Sequence, residues 1–482
     1  MTQQRQRRRW NGLPEWGPLQ TILLFFVIWK TLILLIATLS PGPGYDTSTL
    51  LLLGRGDDDR PNPPPGTGGE RAQEWLPCSS FCWPEKLVRW DAIYFAKIAE
   101  RGYLFEQEWA FGWGLTRLIT LLSRGIARTG IATSKGGAGP LIEINVGIAI
   151  SHVAHLFSVV VLYHLTKLMF AGEKGKKLAL IASILHTITP AGIFLSAPYA
   201  ESLFALLNFA GHFIYTASLT PNGRGRSWEN DLCLVLSGAV FGLATTVRSN
   251  GLLNGILYLY DLTGEIRSLP RDGVGVANAR KAAALGVAGI LVGLGTATPQ
   301  WIAYLAYCGD ENDRPWCKQA VPSIYAWVQD HYWNVGFMRY WTFSNLPLFL
   351  LAGPALLIMG LSAAWALYGP KNRLLTRVTG QGTPSATDAI RDVNFTRDQL
   401  QKFAIPQLVL AVLALTTYHV QIITRISSGY MVWYWWLAFL VSEEQHVEIF
   451  RRKWNLSRIV TRWMMVYAVV QGGLFASFLP PA

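Results

Sequence analysis

A polytopic, all-α membrane protein of about eleven transmembrane helices is the fold class the sequence predicts, and three observations predict it. Hydrophobic residues make up 51% of the 482 residues and charged residues only 15%, too little charge to cover a soluble chain of this length. Apolar runs recur along the chain at lengths that suit about 30 Å of hydrocarbon. The excess positive charge, +12 at neutral pH, gathers in alternate connections between those runs, as cytosolic loops require. With no basic stripe outside those loops and no recognition motif, nucleic-acid binding has no support.

The first run, 19–39, follows Arg5, Arg7, Arg8 and Arg9. It is too long for a signal peptide and has no small-residue cleavage site, so it is expected to remain as an anchor with residues 1–18 cytosolic. Lys30 at its middle is expected to face other helices or to snorkel. Residues 41–140 then form a large first luminal loop. Within it, 54–72 is a Pro/Gly/Asp stretch expected to be disordered. The stretch Arg89–Tyr103 reads as a helix stopped by Gly102. Leu87, Trp90, Asp91, Tyr94 and Ile98 share helical spacing, which puts Asp91 beside an aromatic stripe. Residues 109–126 are amphipathic and are expected to lie on or dip into the membrane.

Further runs fall near 141–170, 178–198, 200–218, 232–247, 250–262, 282–307, 344–369, 403–424, 429–446 and 461–479. Threaded alternately, they leave the Lys/Arg-rich connections cytosolic and residues 308–343 as a second luminal loop, with the C-terminus luminal. Asn394-Phe395-Thr396 and Asn455-Leu456-Ser457 fall on the cytosolic side and are expected to carry no glycan. Gly289 and Gly293 read as a Gly-x-x-x-Gly helix contact. No repeat and no soluble second domain is evident, so residues 1–482 form a single transmembrane domain.

Four of the five cysteines lie in the two luminal loops. In an oxidising lumen Cys308 pairs with Cys317 and Cys78 with Cys82, with cross-pairing open. A zinc site is the rival reading, but no His stands at ligand spacing beside either pair.

The polar and aromatic clusters all land on one side of this map. They are Arg89–Trp113, Ser196–Ser202, Arg248–Gly251, His331–Trp341 and Gln421–Trp436, and their convergence from distant parts of the chain is the pattern of an active site. Each has a plainer reading. Asp91 is an exposed helix acid paired with Arg89 or Lys97, Glu201 complements a helix dipole, and His331 serves loop hydrogen bonding. His152, His155, His186 and His419 read as satisfied intramembrane histidines. Trp433–Trp436 reads as an interfacial belt. Arg248, in a break between apolar runs, is costly without a phosphate or carboxylate partner.

Taken together, Arg89-Trp90-Asp91-Ala92, Glu108-Trp109-Ala110-Phe111, Ala197-Pro198-Tyr199-x-Glu201, Arg248-Ser249-Asn250-Gly251, His331–Phe337 and Gln421–Gly429 resemble the GPI mannosyltransferase 2 family, over nearly the whole chain. Gly112-Trp113-Gly114 resembles its fungal form. The resemblance implies an endoplasmic reticulum enzyme of the GT-C type. Such an enzyme moves mannose from dolichyl-phosphate mannose to the first mannose of the GPI-anchor precursor in α-1,6 linkage. It places the catalytic acid in the first luminal loop, at Asp91, and implies a small membrane partner subunit. A β-linked donor and an α product require inversion by single displacement. Asp91 then takes the acceptor proton, and Arg248, with His331 and Arg425, receives the donor phosphate. Arg89, Trp90, Trp109, Tyr199, Glu201, Asn250, Tyr332, Trp333, Asn334 and Gln421 are the substrate-binding candidates. No metal or other cofactor is expected.

The rivals are a lipid transporter or scramblase, which needs an intramembrane polar pathway, and a membrane acyltransferase using His155 or His186. Another dolichyl-phosphate-sugar transferase is the nearest alternative within the enzyme class.

Overall fold

The structure is a computed structural model that describes residues 17–41, 48–52, 83–129, 141–170, 172–219, 227–273, 275–309, 314–368, 386–443, 446–449 and 452–480. The 54–72 stretch, Cys78 and Cys82 lie outside the described residues.

Helices account for nearly all of the described structure, and each predicted run contains one. Eight are long and apolar enough to cross a membrane by length and composition. The first, α1 (Pro18–Leu39), is followed by two helices of the first loop, α2 (Asp91–Arg101) and α3 (Trp113–Arg128). Next come α4 (Leu141–Met169), α5 (Gly172–Thr187), α6 (Ala200–Leu219), α7 (Trp228–Val247), α8 (Gly255–Asp272) and α9 (Val276–Tyr307). The chain continues through α10 (Ile324–His331), α11 (Leu346–Tyr368), α12 (Ala386–Thr416), α13 (Val432–Ser442) and α14 (Leu456–Ala476). Of the eleven predicted spans, α5, α8 and α13 are the ones that fall short in length or apolarity. One feature leaves no signal in the hydropathy pattern: strands β1 (His446–Ile449) and β2 (Arg452–Asn455) pair antiparallel before α14.

The tightest packing runs through α4, α6, α7 and α9, whose main contacts are α7 on α9, α4 on α6 and α6 on α7. Small residues allow the α7–α9 approach. A Cβ on Gly238 or Gly242 would collide with the backbone of α9 at Ala288 or Leu291, and one on Gly295 with the Gly242 carbonyl. The close-contact pair is therefore Gly238 and Gly242. Among the described residues a Cβ on Gly293 would meet nothing within 4 Å and one on Gly289 only the Tyr258 side chain, which corrects the sequence reading.

Residues Val432–Leu440 of α13 are all buried, with Trp433, Tyr434 and Trp435 among the largest fully buried side chains. This aromatic run is core rather than an interfacial belt. Lys30 is buried and faces inward as expected: its Nζ donates to the Leu195 carbonyl at 2.7 Å and to Ser196 Oγ at 2.9 Å. His186 is satisfied by Ser158 Oγ and the Tyr434 hydroxyl, His152 by the Ile148 carbonyl, and His419 by the Trp333 carbonyl. His155 departs from expectation, since both its ring nitrogens are buried without a hydrogen-bond partner among the described residues. Both glycosylation-like triplets are engaged: Thr396 Oγ1 donates to the Met169 carbonyl, and Asn455 caps α14 by accepting from Arg458 N–H.

Candidate active site

Asp91 is the first residue of α2, where the helix dipole favours a carboxylate. The chain reaches it through Trp90, whose φ of 53° is left-handed and strained for a non-glycine residue. Three contacts hold that kink. The buried Tyr199 hydroxyl donates to the Arg89 carbonyl at 3.0 Å and accepts Asp91 N–H at 3.1 Å. The Trp90 ring packs on Phe478 with 5.0 Å between centroids. Burial, reinforced by the Asp91 charge, pushes the Tyr199 hydroxyl well up, so it keeps its proton for this bridge. Because α2 starts at Asp91, Leu87 belongs to a separate short helix (Trp83–Leu87). The buried face of α2 is Ala92, Phe95, Ala96, Ile98 and Ala99, and Gly102 ends it as predicted.

With this carboxylate at its end, four charged side chains form a line. Arg425 donates to Asp91 Oδ2 at 2.7 Å, and its Nε lies 3.3 Å from Glu201 Oε1. The same Glu201 oxygen accepts from Arg248 at 2.8 Å. Glu201 is fully buried, whereas the Asp91 side chain is 33% exposed. Burial works against the Arg425 charge, but Asp91 and Glu201 beside it prevail and push its proton affinity up. Glu201 Oε2 and Arg248 Nε are buried without hydrogen-bond partners among the described residues. Glu201 is thus the anion that spaces two guanidiniums, set beneath them rather than at the surface of the site.

A cavity of about 400 Å³ opens over this line. Asp91, Trp109, Arg248, Asn250, Trp333 and Arg425 line it, so each of the clusters 89–113, 248–251, 331–341 and 421–436 reaches it, and 196–202 through Ala200. Arg248 stands in extended conformation at the end of α7, before a 3₁₀ turn over Ser249–Asn254. Asn250 is oriented by the Tyr430 hydroxyl at 3.1 Å. Gly112 and Gly114 let α3 meet α7, because a Cβ at either would collide with the Val247 carbonyl or with Thr246.

Other candidates stand away from the cavity. Arg89 and Trp90 are tied to Phe478, Arg89 by a cation–π contact at 5.1 Å. His331 stacks on Trp327 at 4.5 Å, and Gln421 accepts from the Tyr340 hydroxyl. Asn334 has a φ of 50°, a turn position. Neither His331, Asn334 nor Gln421 lines the cavity.

Tyr332 reaches Glu106, a residue the sequence reading did not single out. Glu106 accepts from Trp316 Nε1, Trp327 Nε1 and the Tyr332 hydroxyl at 3.1–3.3 Å, with Arg314 3.6 Å away. Cys308 and Cys317 form the predicted disulfide, which closes the loop carrying the buried Trp316. Together they brace the 3₁₀ turn Glu106–Ala110, and with it Trp109 at the cavity wall. Gln300 was missed as well: it lines the cavity and ties α9 to α10 by accepting from Ser323 and the Tyr325 N–H. Its signal was a lone amide beside Pro299 in an apolar run.

Residues 19–482 match the family model described as Mannosyltransferase (PIG-V). The chain is 42% identical over 479 residues to GPI mannosyltransferase 2 of Aspergillus oryzae, with 98% of each chain covered. It is 41% identical over 488 residues to the protein of that name from Chaetomium globosum, with 96% of each covered. Among solved structures, an Archaeoglobus fulgidus oligosaccharyltransferase tethered with an acceptor peptide is 12% identical. That match covers 96% of this chain and 56% of that one, with a TM-score of 0.46. Matched from its first membrane helix to its last residue, the chain belongs to the PIG-V mannosyltransferase family.

Proposed function

We propose that this mannosyltransferase takes mannose from dolichyl-phosphate mannose and places it, in α-1,6 linkage, on the first mannose of the GPI-anchor precursor. The names of the relatives support the acceptor class. In this reading the fold is of the GT-C type, and the site faces the lumen of the endoplasmic reticulum with the N-terminus cytosolic. A small membrane subunit accompanies the chain.

The observation that carries the chemistry is the line Asp91–Arg425–Glu201–Arg248 under the cavity. The donor phosphodiester carries one negative charge and docks on Arg248 and Arg425. It competes with Asp91 for Arg425, which frees the carboxylate to face the acceptor hydroxyl. In a single displacement the acceptor oxygen bonds to the anomeric carbon and its proton passes to Asp91. The carbon–oxygen bond to phosphate breaks with its electron pair going to the phosphate, which leaves as dolichyl phosphate. Negative charge thus moves from Asp91 to the leaving phosphate across the Arg425 cation, and the total does not change. Two fixed guanidiniums supply the electrostatic stabilisation, so the scheme calls on no metal. Trp333 and Trp109 offer ring faces to the sugars.

Cells lacking the protein are expected to accumulate a GPI precursor with one mannose. Accumulation of a precursor with none, or with two, would refute the assigned step.

A further inference from the structure

A second cavity, of about 540 Å³, lies between α5, α13 and α14 and shares no lining residue with the first. One wall is aliphatic: Ile181, Ile184 and Leu185 of α5 and Ile188 just past its end follow one another at helical spacing. The opposite wall is polar. Arg458 and Arg462 stand four residues apart on one face of α14, with Thr461 between them on the cavity side. Both arginines are exposed, and neither forms an ion pair with an acid among the described residues.

The setting makes that pair unusual. The helix α14 is long and apolar enough to cross a membrane, and Arg462 lies about 9 Å along its axis from the start. A guanidinium at that depth is costly unless it reaches the headgroup layer or an anion. Two guanidiniums at the mouth of an aliphatic slot suit a ligand with a phosphate head and a hydrocarbon tail. The forks bind the oxygens and the slot takes the chain.

We infer that this groove binds an anionic membrane phospholipid. Its phosphate sits on Arg458 and Arg462, and one acyl chain lies against Ile181–Ile188. The site also has a route to the catalytic end. The helices α5 and α13 that flank it carry His186 and Tyr434, whose ring nitrogen and hydroxyl lie 3.1 Å apart. The Tyr434 hydroxyl in turn bonds the Ser428 carbonyl, three residues after Arg425. A lipid that clamps α5 to α14 therefore stabilises the segment that presents Arg425.

The test uses the full chain, delipidated in detergent and titrated with phosphatidylserine, phosphatidylcholine or dolichyl phosphate, with thermal unfolding and native mass spectrometry as readouts. Phosphatidylserine is expected to raise the Tm and remain bound, and Arg458→Gln/Arg462→Gln to weaken its apparent affinity about thirty-fold. Arg248→Gln, at the other cavity, is expected to bind it as the wild type does. Equal phosphatidylserine binding by the wild type and the double variant overturns the inference. So does equal stabilisation of the wild type by phosphatidylcholine, or a preference for dolichyl phosphate. Should the double variant fail to fold, competition between phosphatidylserine and phosphatidylcholine on the wild type decides, and displacement at equal concentration refutes the site.

Discussion

Arg425 reaches across 334 positions of sequence to hold Asp91 Oδ2 at 2.7 Å. An acid at the start of a loop helix and a cation in a short helix before α13 are thereby made one unit, and the chemistry of each depends on the other.

If Asp91 takes the acceptor proton, Asp91→Asn keeps shape and loses the base. Mannosyl transfer by the purified variant is expected to fall about 10²- to 10⁴-fold, with thermal unfolding within a few degrees of wild type. Turnover at the wild-type rate would remove the assigned base.

Arg248→Lys keeps the charge and gives up the planar fork. The KM for the lipid-phosphate donor is expected to rise about tenfold while that for the acceptor stays put. Initial rates with each substrate varied in turn separate the two, and a rise confined to the acceptor contradicts the assignment.

Glu201 is different, because it is fully buried and faces two cations. Glu201→Gln leaves both guanidiniums without their shared anion. Since each arginine retains some exposure, the loss of stability is expected toward the lower end of about 3–5 kcal/mol. Unfolding by heat in detergent measures it, and an unchanged Tm would mean the anion does not hold the pair.

Gly112→Ala tests the packing beneath the cavity. A methyl there meets the Val247 carbonyl, one residue before Arg248, so α3 must back away from α7. A destabilisation of about 1–3 kcal/mol is expected, together with reduced transfer activity. Gly289→Ala, whose methyl would make only an ordinary van der Waals contact with the Tyr258 side chain, is expected to be silent in both measurements.

Much of this arrangement was legible along the chain. Hydropathy and loop charge located a helix in every predicted run, and the segregation of polar clusters pointed to the group of residues that meet at the cavity. Asp91, Arg248 and Arg425 were visible because a charge among apolar residues is conspicuous in one dimension. What stayed hidden depends on partners set by three-dimensional packing. Glu201 looks like a helix-start acid until Arg248 and Arg425 arrive on either side of it. Tyr332 and His331 sit in a motif-rich stretch, yet one serves Glu106 and the other stacks on Trp327. Gly-x-x-x-Gly occurs on both α7 and α9, and only the backbone approach shows that Gly238 and Gly242 make the contact. The β1–β2 hairpin was invisible because four-residue strands carry too short a pattern.

The amine of Lys30 is satisfied at Leu195 and Ser196, only a few residues before Tyr199 and Glu201. The N-terminal helix therefore cannot be exchanged for a generic signal anchor in a chimera built for expression. Such a fusion would still be inserted, but the turn leading into the charged line would lose its brace.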